Sequence, residues 1–582
     1  MGRIKGRGRF EGYGKSELKR DLIAGCIVGI IAIPLGMAFA IASGVKPETG
    51  IYTTIIAGIL ISLLGGSKFQ IGGPTGAFIP ILLAIVLQYG YDKLLAAGFM
   101  AGVLLVLMGV FRLGTLIAFM PRPVTVGFTA GIAVTIFAGQ IGNFLGLTGL
   151  ERHESFLLNM RELALHAGTL NGYAIVVAGI CLGSLLLMPR LLPKVPASLV
   201  GLILSTFVAV LLLDGRVATI GSAYGEIPAS LPSFRFPDLS GDTLKLMIGP
   251  AIVIALLGGV ESLLSAVVAD GMGGSKHDSR RELIGQGIAN MVVPLFGGIP
   301  ATGAIARTAT NIKSGAASPL SGIVHGLVVL LVLVLLAPYA SAIPLAAMAP
   351  ILMVVAWNMS ERRAFAKLLR LRSGDSLVLV VTFLLTVFAT LTTAVGVGLA
   401  LAVLLFVKNM AGEQRLDRAL PGDDGGVRGK VQADPAAAER SCPQLNVFSL
   451  RGALFFGTRD PFGTPAFAAS RDLSGTLLLR MGGVPLIDAS GEAALHGLLK
   501  SVRASGGTLM LAGLRPGPRQ LLARTGLLAE LGEENEFART GAAIDAALAR
   551  RAHAERCDGC ASCAADLLEC AGQGVSGEEN AC

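Results

Sequence analysis

The sequence predicts a polytopic α-helical membrane protein: fourteen segments in a 7+7 inverted repeat, followed by a small cytoplasmic α/β domain. Three observations carry this expectation. Of the 582 residues, 53% are apolar and only 15% are charged, less charge than a soluble chain of this length carries. Apolar runs recur from Leu22 to Val407, many of them near the roughly 20 residues that cross a bilayer. A glycine- and proline-bearing motif also occurs twice, at the third segment of each predicted half.

The first stretch, residues 1–20, is polar and basic ("MGRIKGRGRFEGYGKSELKR"). It does not read as a cleavable signal peptide, which would bring an apolar core early. The formal net charge of +9 fits lysines and arginines at cytoplasmic loop ends better than a nucleic-acid partner. The membrane domain is expected over 21–410, with spans near 22–43, 51–66, 74–91, 94–111, 124–146, 170–189 and 197–213. The second set lies near 246–268, 283–298, 301–313, 318–338, 345–359, 376–390 and 392–407. An even count with both termini inside puts "SKHDSRRE" and "ERRAFAKLLRLR" in the cytoplasm, and 147–169 outside.

Residues 411–440 read as a polar linker. Over 441–552, short apolar runs alternate with amphipathic ones. "LNVFSLRGALFF", "GTLLLRM" and "GTLMLAGL" suit strands; "ASGEAALHGLLKSVRAS" and "GPRQLLARTGLLAEL" suit helices. The tail, 553–582, is polar and rich in cysteine. Its Cys557, Cys560, Cys563 and Cys570 have C-x2-C-x2-C spacing followed by a fourth cysteine, which could hold zinc or an iron–sulfur cluster. The alternative is a tail of redox-sensitive thiols.

The repeat points to the site. In "YTTIIAGILISLLGGSKFQIGGPTGAF" and "ELIGQGIANMVVPLFGGIPATGAI", an apolar span ends in Gly65-Gly66 or Gly297-Gly298. An irregular piece with Pro74 or Pro300 follows, and then the triplet Thr75-Gly76-Ala77 or Thr302-Gly303-Ala304. Seven segments per half make the second half inverted, and broken segments at matching positions mark a transporter's central site. Irregular backbone at membrane depth must be buried or line a cavity. Thr75 or Thr302 is expected to cap a new helix whose free N–H groups and positive dipole end favour an anion. Away from span ends, only Glu261, Arg307 and His325 could carry charge, and such residues are functional candidates. Arg307, four residues after Gly303, is expected on the same helical face one turn deeper. It either binds an oxyanion or pairs with Glu261. Glu261 is a candidate proton carrier, or that pairing partner. His325 reads as a hydrogen-bonded core residue. No Gly-rich nucleotide loop is present, so an ion gradient rather than ATP should supply the energy, and enzymatic activity is not expected.

"IPLGMAFAIASGV", "GGPTGAF", "GGVESLLSAVVADGM" and "GGIPATGAIARTATNIKSG" resemble the SulP (sulfate-permease-like) anion transporters, and 441–552 resembles the STAS domain usual in that family. The resemblance implies a core and a gate, alternating access, a small anion between the third and tenth segments, a homodimer, and no required cofactor. Its site residues would be Thr75, Gly76, Ala77 and Phe78 from the third segment, Ala304, Ile305, Ala306 and Arg307 from the tenth, and Phe39 from the first. Leu35 departs from relatives that carry glutamine there. Glu261 matches an acidic position in cation-coupled members, with either a proton or Na+ as the coupling ion. In "DASG", Ser490 matches a serine that is phosphorylated in some STAS domains and is an ordinary helix cap in others.

Overall fold

A computed structural model describes residues 9, 13–114, 120–192, 195–213, 215–230, 232–389, 391–421, 431–433, 445–457, 462 and 475–550. The cysteines of the tail, Cys557, Cys560, Cys563 and Cys570, lie outside the described residues. The chain divides into two units, Met1–Ala402 and Val403–Cys582.

The first unit begins with α1 (Lys15–Ala42) and α2 (Pro47–Leu64). A two-residue strand β1 (Gly72–Gly73) and a 3-10 turn (Gly76–Phe78) lead into α3 (Ile79–Tyr89). Then come α4 (Tyr91–Val110), α5 (Arg122–Gly139), α6 (Ile141–Leu145), α7 (Phe156–Leu165), α8 (Gly172–Leu191), α9 (Ala197–Leu212) and α10 (Ile220–Tyr224). The second half runs through α11 (Gly241–Gly273), α12 (Ser279–Val292), β2 (Thr302–Gly303), α13 (Ile305–Lys313), α14 (Leu320–Ala340), α15 (Leu345–Met359), α16 (Arg362–Arg370), α17 (Gly374–Phe388) and α18 (Leu391–Gly412). An ordered element stands at every one of the fourteen expected spans. The two broken ones, α3 and α13, reach only 11 and 9 residues, too short to cross a bilayer as helix alone.

The helices pack as two groups. α4 lies along α11 and α12, α14 lies along α1 and α2, and α13 packs on α11. Separately, α5 packs on α17, α8 on α9, and α15 on both α5 and α8. The two broken segments belong to the first group, the arrangement expected of a transporting core set against a gate.

The glycine pairs are close-approach points. A Cβ on Gly66 would fall 2.0 Å from the Asp278 carbonyl oxygen, and Gly297 turns the chain at φ +69°. Each turn is then held by the partner half. Glu282, on α12, accepts from Gly66 N (2.7 Å) and Ser67 N (2.9 Å). Thr53, on α2, donates to the Ile299 carbonyl (3.1 Å) and accepts from Ile299 N (2.7 Å). Asn290 binds both main-chain groups of Ala301 at 2.8 Å. These contacts satisfy backbone groups that lipid would leave unpaired.

In the second unit, β3 (Arg415–Pro421), β4 (Val431–Ala433), β5 (Leu445–Arg451), β6 (Thr476–Gly483), β7 (Thr508–Ala512) and β8 (Glu536–Phe537) form one sheet in the order β4-β3-β5-β6-β7-β8. β5 to β8 run parallel, and β3 is antiparallel to both its neighbours. The helices are α19 (Ala489–Ala504), α20 (Pro516–Arg524), α21 (Leu527–Leu531) and α22 (Thr540–Ala549). Two expectations are corrected. The stretch read as linker supplies β3 and β4, because ladder pairing uses main-chain groups and needs no apolar run. The second expected helix is split at Gly526 (φ +85°) into α20 and α21. At the start of α19, the Asp488 carboxylate accepts from the N–H groups of Ser490 and Gly491, both at 2.9 Å. Asp488 is therefore the cap, and Ser490 is exposed just inside the helix.

Candidate anion site

Pro74 and Pro300 each remove a main-chain donor and stop a helix from running straight through. The freed chain finds its partner in the other half. β1 and β2 pair antiparallel, Gly72 opposite Gly303 and Gly73 opposite Thr302. Ala304 N donates to the Ile71 carbonyl at 2.8 Å, extending the bridge by one bond. Side chains complete it: Ser262 Oγ accepts from Gly303 N (3.1 Å), and Thr308 Oγ1 accepts from Ile71 N (3.1 Å).

Two helices start from this bridge. Thr75 precedes the 3-10 turn Gly76–Phe78 that opens α3, and Ala304 precedes α13. The first internal bonds are Phe78 N to Thr75 O and Thr308 N to Ala304 O. The main-chain N–H groups of Gly76, Ala77, Ile305 and Ala306 are thus left for a ligand. Gly76, Ala77 (4% exposed) and Phe78 (1%) are buried. Ile305 and Ala306 are exposed at the opposite start, and Ala304 is buried. Gly76 faces the Phe39 ring from α1, Ile136 from α5 and Met359 from α15, each 3.4–3.6 Å from where a Cβ would stand. The start of the third segment therefore looks across at the second helix group.

The two charged side chains sit on this bridge. Arg307 is 3% exposed and lies in the first turn of α13, not one turn deeper, because the helix begins at Ile305 rather than at Thr302. Its Nη2 donates to the Pro74 carbonyl across the bridge, while Nη1 is buried and meets no hydrogen-bond partner among the described residues. Gly73 (φ +153°) makes room for it: a Cβ there would lie 2.4 Å from Nη1. Glu261, half-buried on α11, accepts from Thr75 Oγ1 and from Thr302 Oγ1 on the same oxygen, Oε2, at 3.0 Å each.

Neither threonine caps a helix as expected. Both hydroxyls turn to the carboxylate, a stronger acceptor than a neutral group. Arg307 and Glu261 are likewise tied to different groups of the same bridge rather than joined as an ion pair. A guanidinium N–H with no partner, beside two sets of free main-chain N–H groups, suits an oxyanion.

Sequence reasoning missed the supporting shell. Gln70, packed against Gly303, is 3% exposed, and Asn290 and Glu282 are also buried. As uncharged or span-edge polar residues, they gave no periodic or motif signal. His325 is fully buried on α14, with its Nδ1 2.7 Å from where a Gly58 Cβ would stand; the core position is as expected, but the expected hydrogen bond is not, since among the described residues neither ring nitrogen meets a partner. Among the described residues, no cluster of three or more His, Cys, Asp or Glu is arranged to hold a metal ion.

Comparison with known proteins points the same way. Residues 18–382 match the sulfate permease family, and residues 439–543 match the STAS domain. The chain is 54% identical over 530 residues to YvdB of Bacillus subtilis, provisionally named a sulfate transporter, covering 91% of this chain and 98% of that protein. It is 30% identical over 509 residues to the bicarbonate transporter BicA of Picosynechococcus, covering 83% and 86%. In fold it matches the overall structure of SLC26A9 with a TM-score of 0.82 at 20% identity, over 92% of this chain and 91% of that one.

Proposed function

The chain belongs to the sulfate permease family and carries a C-terminal STAS domain, and from that premise we propose that it is a secondary active transporter of a small oxyanion. Sulfate, bicarbonate or a dicarboxylate is the substrate class, carried by alternating access in symport with a proton. The observation that supports this best is the β1–β2 bridge. It gathers two sets of free helix-start N–H groups, a guanidinium with an uncommitted N–H, and a carboxylate that holds a threonine from each half.

In this reading Thr75, Gly76, Ala77, Phe78, Phe39, Thr302, Gly303, Ala304, Ile305, Ala306 and Arg307 form the anion site. Glu261 is the coupling group: it takes up the proton as the anion loads and gives it up on release. The protein works as a homodimer in the bacterial plasma membrane, with both termini cytoplasmic, and performs no enzymatic reaction.

Sodium-coupled bicarbonate symport is a second reading. It is favoured by the likeness to a bicarbonate transporter and by the three oxygens, from Glu261, Thr75 and Thr302, that converge within hydrogen-bonding distance and would suit a hard cation.

Reconstitution into proteoliposomes tests both. Labelled sulfate or bicarbonate should accumulate against its gradient when a proton gradient is imposed, and accumulation driven by sodium alone would select the second reading. A passive channel or an obligatory exchanger accumulates nothing under either gradient. Glu261→Gln should abolish cation-driven accumulation and spare counterflow exchange; accumulation that survives removes Glu261 from coupling.

A further inference from the structure

The nine-residue helix α16 lies between the twelfth and thirteenth segments, so an even number of crossings puts it on the same face of the bilayer as the N-terminus. It has two unlike faces. Arg362, Arg363, Lys367 and Arg370 fall along one side at helical spacing, and all four are exposed; Arg372, just beyond the end, is exposed too. Ala364, Phe365 and Leu368 line the other side. Phe365 packs edge-on against Phe383 of α17 at 5.3 Å, and Ser376 Oγ donates to the Leu368 carbonyl at 2.7 Å. The helix is therefore fixed to the membrane helix that follows it.

Around that anchored edge, Leu369 (45% exposed), Leu371 (57%) and Trp357 (53%) present apolar surface. The Arg362 guanidinium lies 3.9 Å from the Trp357 ring centroid. Among the described residues, no ion pair engages any of these five cations. Basic side chains above exposed leucines and a tryptophan, on a helix between two membrane segments, match the composition of the interface.

We propose that α16 is an interfacial helix that binds the phosphate headgroups of anionic phospholipids in the adjoining leaflet. Arg362, Arg363, Lys367 and Arg370 contact the phosphates, while Leu369, Leu371 and Trp357 sit among the upper acyl chains. Several guanidinium groups can bind phosphate oxygens bidentately, and each basic residue near an anionic surface adds to the attraction. Because α16 is joined directly to α15 and α17, and Met359 of α15 borders Gly76, headgroup binding stabilises the helix group that faces the anion site.

The test uses full-length protein in nanodiscs of phosphatidylcholine, with or without phosphatidylglycerol, read by thermal unfolding and by native mass spectrometry of retained lipid. The native chain should retain phosphatidylglycerol in preference to phosphatidylcholine, and its unfolding midpoint should rise by several degrees when that lipid is present. R362Q/R363Q/K367Q/R370Q should lose both effects. K276Q/R280Q, which changes exposed basic residues just before and within the first turn of α12, should keep both. Retained lipid preference in the fourfold variant overturns the proposal. So does a fourfold variant destabilised equally in both lipids, which would mean that α16 docks on protein. A midpoint rise reproduced by inorganic phosphate in phosphatidylcholine alone would overturn it too, by assigning the site to a free anion.

Discussion

Gly73→Ala tests the placement of Arg307 without removing its charge. The native φ of +153° is one that side chains rarely adopt, and the new Cβ would stand 2.4 Å from Arg307 Nη1, where ordinary contact begins at 3.4 Å. The backbone strain costs about 1–3 kcal/mol. The guanidinium must also retreat by about 1 Å to escape the overlap. A charge-assisted hydrogen bond to the anion, worth about 1.5–3 kcal/mol, would then be lost, weakening binding roughly 10- to 150-fold. The assay is equilibrium binding of labelled sulfate and bicarbonate to purified protein, with the unfolding midpoint recorded alongside. Gly179→Ala is the control: it lies in α8 with nothing within 4 Å of the added methyl. It should leave affinity unchanged and stabilise slightly, since glycine is a poor helix former. Native affinity in Gly73→Ala would show that the anion does not depend on Arg307 where the structure places it.

Three further outcomes are expected. Thr75→Val and Thr302→Val both remove a donor to the same Glu261 oxygen, so their effects on cation-driven uptake should be non-additive, with a coupling of about 0.5–3 kcal/mol; strict additivity would place the hydroxyls in separate roles. Glu282→Ala should leave the N–H groups of Gly66 and Ser67 unpaired in the core, lowering stability by about 2–5 kcal/mol, and Glu282→Gln should recover part of it because its amide oxygen still accepts; an unchanged midpoint in Glu282→Ala would refute the clamp. Outside the membrane segments, Lys93, Thr243 and Ser240 hold the Asp238 carboxyl well below the usual carboxylate range. A group whose pKa is depressed on folding adds stability above its unfolded value, near 3.9, and loses it as pH falls through the folded value. Asp238→Asn should therefore lower the midpoint at neutral pH, and the gap from the native chain should close in strong acid; a gap independent of pH would contradict this.

Much of the fold was legible because lipid imposes simple rules. Length and hydropathy locate spans, and the duplicated Gly-Gly, Pro and Thr-Gly-Ala pattern locates the breaks. Fourteen expected segments correspond to elements of the structure, including two that are too short to be found by length alone. The meeting of the breaks was also legible in outline, since inversion brings the third segments of the two halves together.

What the sequence left open concerns side chains whose partners are far away in the chain. The hydroxyls of Thr75 and Thr302 read as helix caps, because local spacing allows that, yet each has a carboxylate within reach on α11 and turns to it. Arg307 was ambiguous between anion and Glu261, and its partner proved to be a main-chain carbonyl, which no pattern of side chains can announce. Glu282 binds main chain across the repeat, Asn290 binds Ala301 within its own half, and neither carries a motif of its own. In the second unit, β3 and β4 escaped notice because a polar stretch can join a sheet through its backbone.

Arg307, together with the helix starts around Gly76 and Ile305, is proposed to bind the transported anion. The measurement that tests it most directly is the affinity of Arg307→Ala for a panel of sulfate, bicarbonate and dicarboxylates, taken on protein whose unfolding profile shows the fold retained. The variant should bind the native chain's anion at least about tenfold more weakly. Equal affinity in the two proteins would contradict it and place the anion elsewhere.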